Sequence, residues 1–188
     1  MSDTQLSIPS ASKLHQSDIR FDYSDAYSLN VHHKTTIEQV ALAFLKNTPN
    51  WLVKLTVLKD KVVKSYQQKD EAEVEKSDER FQKYELKEGG QVGHFVIKHL
   101  DEQEIIFARN DKSINVQISM IFLDRHDHPQ TTKPLVMSTV MQVNNWWGKM
   151  TMVPLKPFHQ EMAPFLLENI VKELQAQQKE AVKRREEE

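Results

Sequence analysis

By residue type, His159 is the side chain best suited to move a proton. It follows Pro157 and Phe158 in a stretch with helical apolar spacing, and an imidazole changes charge near neutral pH. Facing a cavity, it would need a partner to orient it, and Asp22, Asp25 and His94 are the candidates. On an outer surface it would only bond to backbone. A second group consists of amides. Asn144 and Asn145 precede Trp146-Trp147-Gly148-Lys149, and Asn115, Gln117, Ser138 and Gln142 interrupt apolar strands. Amides at a cavity rim can donate to and accept from a ligand. The same Asn-Asn-x-x-Gly chemistry also builds a turn, in which Asn tolerates left-handed backbone and Gly148 supplies a positive φ. Trp146 and Trp147 suit core or rim packing, or stacking on a ligand. The run Asp124-Arg125-His126-Asp127-His128 offers H-x-H flanked by carboxylates, which is chemically able to hold a metal. It precedes Pro129 at an expected hairpin tip, however, so these side chains are read as solvated and no metal is expected. His32-His33 is read the same way.

Composition removes several classes of chemistry. The chain has 188 residues with 25 basic and 27 acidic side chains, a formal net charge of -2, no cysteine and four glycines. No surplus of basic residues marks a nucleic-acid partner. Disulfides, thiol nucleophiles and thiolate metal sites are excluded. Gly89, Gly90, Gly93 and Gly148 cannot be arranged into a dinucleotide fingerprint or a P-loop, and no G-x-S-x-G elbow is present. No nucleotide cofactor is therefore expected. With no secretory leader and no apolar run of about 20 residues, the expectation is a soluble cytoplasmic protein without a membrane partner.

The elements that must position these residues follow from periodicity. Residues 1–19 are polar and aperiodic and are read as a flexible arm. In the next stretch Phe21, Tyr23, Asp25, Tyr27 and Leu29 share one side of a strand, and Asp25 is the polar exception. A helix is predicted over 36–47, with a capping box at Thr35 or Thr36 and an apolar stripe of Ile37, Val40, Ala41, Phe44 and Leu45. A second helix after Pro49 would place Trp51, Leu55, Leu58 and Val62 on one face, and 64–80 is read as a solvated charged run. Period-two patterning then predicts strands over 81–86, 92–100, 104–109, 113–124 and 135–145, the last two apolar on one side only. A closing helix carries Phe158, Met162, Phe165, Leu166, Ile170 and Leu174, with a kink or fresh start at Pro164 and a projecting charged tail over 176–188.

This order gives an α+β fold of helix-grip type. A curved antiparallel sheet of about six strands carries a helix pair and a long C-terminal helix on one face, over a single domain at 20–175. A cavity of about 300–1,000 Å³ between helix and sheet is the usual consequence.

The stretch 139–149, Thr-Val-Met-Gln-Val-Asn-Asn-Trp-Trp-Gly-Lys, followed by Pro157-Phe158-His159, resembles the bacterial domain-of-unknown-function family 2867. The early strand Asp22-Tyr23-Ser24-Asp25-Ala26-Tyr27 and the start of the helix at Trp51-Leu52 are similar to it as well. The resemblance covers about 20–172 and implies a ligand-binding helix-grip domain of the START and birch-pollen-allergen type, with no established activity. In that family's pattern the strand at 113–124 carries an acid and an arginine. Asn115 and Gln117 stand there in this chain, which counts against a charged catalytic pair. The reading that results is a non-catalytic domain holding a small apolar or amphiphilic ligand near Asn115, Gln142, Asn144, Asn145, Trp147 and His159. The alternatives are acid–base chemistry at His159 with Asp25 or His94, and a homodimeric interaction module built on the sheet edge and the charged tail.

Overall fold

Alternating polarity makes a strand and 3.6-residue spacing a helix, and the chain follows both rules closely. The computed structural model describes residues 6–16, 20–48, 86–123 and 131–186. Strand β1 (Tyr23–His32) is followed by helix α1 (Ile37–Asn47). Thr36 caps α1, accepting from the Gln39 N–H while the Gln39 side chain accepts from the Thr36 N–H, which satisfies two donors that a helix start leaves unpaired. The predicted second helix, the charged run and most of the strand at 81–86 lie outside the described residues.

Strands β2 (Gln91–Val92), β3 (Phe95–Leu100), β4 (Glu104–Asn110), β5 (Ile114–Phe122) and β6 (Thr132–Val143) lead to helix α2 (Trp146–Glu186). The strand expected over 92–100 is in fact a hairpin. Gly93, at φ 59°, turns the chain between β2 and β3 through a backbone region closed to most side chains. The six strands form one antiparallel sheet in the order β1-β6-β5-β4-β3-β2. With the helices on one face, the fold is α+β.

Cross-strand register decides what each face carries. Asp25 pairs with Thr139, Thr139 with Ile118, and Ile118 with Phe107, so these four look toward the helices. That face holds the main core, in which Phe44 of α1 stacks on Phe107 at 4.9 Å and α2 contributes Leu167, Ile170 and Leu174. Gln117 pairs with Val140, Asn115 with Gln142, and Ser119 with Ser138, so these look the opposite way. The polar insertions expected in the helix-side cavity therefore lie on the back of the sheet. The back face is itself partly covered. Residues 6–16, expected to form a loose arm, lie against it, with Leu14 buried beside Ile106 and Val140. The Ser12 hydroxyl donates to the buried Glu104 carboxylate at 2.6 Å, the Lys13 N–H at 2.8 Å, and the Ser119 hydroxyl donates to it as well.

Helix α2 begins earlier than its apolar stripe suggested and runs through Pro154, Pro157 and Pro164 without a break. Each proline removes one i→i−4 donor. At Pro164 the bereft carbonyl is that of Gln160, and the Tyr27 hydroxyl donates to it at 3.3 Å. This contact from β1 offsets the lost bond where a kink was expected. Beyond Leu174 the helix continues to Glu186, its side chains mostly exposed as far as Arg184, so the charged tail is helical to that point. No described helix is long and apolar enough to cross a membrane.

Candidate functional site

Strand β1 and helix α2 bring together residues 134 positions apart. Asp25 is 2% exposed on the helix-facing side of β1, and its Oδ2 accepts from the Tyr23 hydroxyl at 2.6 Å. The Nδ1 of His159 lies 3.0 Å from the same oxygen. A carboxylate only accepts, so Asp25 places the proton of His159 on Nδ1 and leaves Nε2 as the acceptor of the neutral ring. The Tyr23 ring meets the imidazole edge-on at 5.7 Å, which restricts it further. Burial, then the hydrogen bond to Asp25 and its negative charge, push the Tyr23 hydroxyl far above its ordinary range, so it stays a donor. The second carboxylate oxygen of Asp25, Oδ1, is buried with no hydrogen-bond partner among the described residues.

His159 borders a small pocket beneath α2. Phe44, Met137, Thr139, Met162 and Leu166 line it, and its volume is about 60 Å³. That is far below the expected range of about 300–1,000 Å³, because the side chains of the main core fill most of the space under the helix.

Of the residues read from sequence as candidates, only His159 is at this pocket. Asn144 and Asn145 instead build the corner into α2. Asn145 caps the helix, its Oδ1 accepting from the Gly148 N–H at 3.0 Å, while its Nδ2 donates to the Lys112 carbonyl at 2.8 Å. Asn144 donates from Nδ2 to the Asp111 carbonyl at 2.8 Å and to Asn115 Oδ1 at 3.0 Å. Both amides are thus engaged in tying the helix start to the β4–β5 turn. Gly148 does not supply a positive φ, since only Gly89 and Gly93 do so among the described residues. Trp146 and Trp147 are 62% and 67% exposed and lie edge-on to each other at 5.1 Å, so neither packs in the core nor borders this pocket. His94 sits in the β2–β3 turn at the opposite end of the sheet from β1, where burial and the Arg109 charge hold its pKa down. Asp22 is exposed and accepts from the Val143 N–H at 2.7 Å, leaving Asp25 as the partner of His159.

Asn115 and Gln142 line a different cavity, on the back of the sheet. It measures about 170 Å³ and is also bordered by Phe21, Lys98, Gln117 and Val140. Sequence reading did not single out Lys98. The one available signal was its place in an alternating strand, opposite the apolar Ile97 face. Among the described residues no group of three or more His, Asp or Glu side chains gathers as a metal-binding set, and the segment 124–128 lies outside them.

Fold and site together define an α+β domain with an Asp–His pair at a small apolar pocket between a long helix and an antiparallel sheet. Residues 19–165 match the family described as protein of unknown function (DUF2867), and the chain belongs to that family. Neither curated proteins nor solved structures give a match.

Proposed function

We propose that the chain is a small-molecule-binding domain in which His159, oriented by Asp25, anchors the polar end of an otherwise apolar ligand beneath α2. Binding of this kind is what the resemblance to START and birch-pollen-allergen domains implies. The observation that carries the reading is the 3.0 Å contact between a buried carboxylate and an imidazole at the edge of an otherwise largely apolar pocket. An imidazole that served only to fill space there would leave a polar edge against hydrocarbon at a cost. The small volume favours a ligand of a few heavy atoms, or one whose apolar end alone enters.

Thermal unfolding with phenol, 1-butanol and 1-hexanol tests this. A tenfold excess over Kd stabilises by about 1.4 kcal/mol, which for a chain of this size raises Tm by about 3–5 °C. The rise should vanish in His159→Leu. No rise with any of the three, or an equal rise in the variant, would sink the reading.

A second reading, acid–base catalysis at the same pair, is favoured by one specific observation. With Nδ1 committed to Asp25, Nε2 is set up as a general base. Hydrolysis of p-nitrophenyl acetate, an ester whose attacking water needs such a base, should then fall in both His159→Leu and Asp25→Asn. Unchanged rates in the two variants would remove the catalytic reading and leave binding.

A further inference from the structure

The back-face cavity has a different chemical character from the pocket beneath α2. Lys98 is the only ionisable side chain among the described residues that line it, and the others are amides (Asn110, Asn115, Gln117, Gln142) and the apolar Phe21, Ala108 and Val140. Lys98 Nζ donates to Gln117 Oε1 at 3.0 Å. An ammonium only donates, so this contact fixes the orientation of the Gln117 amide, with its oxygen toward Lys98 and its NH2 pointing away. Gln117 is 8% exposed, and among the described residues its NH2 has no hydrogen-bond partner. Gln142 accepts from Asn115 through Oε1 at 3.3 Å, which leaves its own NH2 unused in the same way. Two of the three Lys98 protons are likewise unmatched among the described residues.

The cavity is thus bordered by side chains with spare donors, one positive charge and no carboxylate. Donors of this kind call for an acceptor-rich, negatively charged group, and a charge-assisted bond is about twice as strong as a neutral one. The size is also informative. A cavity of about 150 Å³ is known to take up benzene, so about 170 Å³ accommodates a body the size of one six-membered ring. Phe21 and Val140 supply the apolar wall such a body would meet.

We infer that this cavity is a second binding site, for a small organic carboxylate with a ring-sized body, its carboxylate meeting Lys98 and the Gln117 and Gln142 amides. It is separate from the pocket beneath α2, since the sheet lies between them. Benzoate is the probe, and benzyl alcohol is its neutral counterpart.

Titration of ¹⁵N-labelled full-length protein with benzoate should give saturable shifts in the side-chain amide signals of Gln117 and Gln142. Benzyl alcohol should bind at least about tenfold more weakly, because it lacks the charge that Lys98 pairs with. Lys98→Met should weaken benzoate by a similar factor, Lys98→Arg should retain most of the affinity, and His159→Leu should leave it unchanged. Lys98 is exposed over part of its length, so Lys98→Met should fold, and an unchanged amide spectrum verifies this. The proposal is overturned if benzoate produces no saturable shift, if benzyl alcohol binds equally well, or if His159→Leu rather than Lys98→Met abolishes binding. The last outcome would place the carboxylate beneath α2 and leave the reading of that pocket standing.

Discussion

Gly148→Ala sets two well-measured effects against each other, and the structure says which one wins. Gly148 occupies the first turn of α2, three residues after the Asn145 cap. On helix propensity alone, alanine would stabilise this position by about 1 kcal/mol. A Cβ at Gly148, however, would lie 2.2 Å from the Ser113 carbonyl oxygen and 2.9 Å from Val143 Cγ1, where ordinary contact begins at 3.4 Å. Relief would require the helix start and the turn before β5 to separate by about 1.2 Å, the difference between 3.4 and 2.2 Å. Ser113 cannot move freely, because its carbonyl accepts from the Asn144 N–H at 2.8 Å. Overpacking of this kind costs about 1–3 kcal/mol, and weakening that hydrogen bond adds about 0.5–1.5 kcal/mol. After the propensity gain is subtracted, the net destabilisation is about 0.5–3.5 kcal/mol, which lowers Tm by roughly 1–14 °C in a chain of this size. Thermal unfolding followed by far-ultraviolet circular dichroism measures it. Gly93→Ala is the useful comparison, because its Cβ would meet nothing within 4 Å and only its φ of +59° opposes the change. If Gly148→Ala raises Tm or leaves it unchanged, the start of α2 is not pinned against the β4–β5 turn at Ser113.

Two further perturbations separate parts of the fold. Leu14→Ala empties the contact with Ile106 and Val140 and should cost about 2–3 kcal/mol, with proteolytic cleavage within residues 6–16 accelerating before the sheet itself unfolds; equal protection in both proteins would show that the arm does not depend on Leu14. The acid limb of stability should involve Asp101. Burial opposes its charge, but bonds from His99 and from the Gln103 and Glu104 N–H groups outweigh that and hold its pKa below the ordinary value. Its contribution is therefore complete above the unfolded value of about 3.9 and is lost as pH falls through the lower folded value. Urea midpoints between pH 7 and pH 3 should fall less steeply in Asp101→Asn than in wild type, and parallel curves would contradict the assignment.

Periodicity was enough to locate α1, its capping box and the long strands, because each of those signals is local. Parity within β5 and β6 also separated apolar from polar faces correctly. What the sequence could not supply was which parity faces the helices, since that depends on the pairing of Asp25 with Thr139 and of Thr139 with Ile118 across three strands. Asn115 and Gln142 consequently fall on the back of the sheet. The continuous helix through Pro164 was hidden for a similar reason, since the Tyr27 hydroxyl that meets the Gln160 carbonyl comes from β1. The clearest signal for the site was Asp25, an acid standing alone in an otherwise apolar face.

Among the described residues the sheet buries two acids, Asp25 and Glu104, and their surroundings differ. Glu104 has both oxygens engaged, Oε1 by the Ser12 and Ser119 hydroxyls and Oε2 by the Lys13 N–H. All of these donors belong to the sheet or the arm, so the carboxylate acts as a fastening between the two. Asp25 concentrates its donors on Oδ2 and leaves Oδ1 buried and unmatched among the described residues. A buried acceptor left without a donor costs about 1–3 kcal/mol, and rotation toward a better arrangement is blocked by Tyr23 and His159 on the other oxygen. A fold selected for stability alone would place a serine or a backbone N–H there, as it does for Glu104. That Asp25 is held in the costlier arrangement, with its charge directed at an imidazole beside a pocket, is the physical reason to look for function at this carboxylate and not at the other.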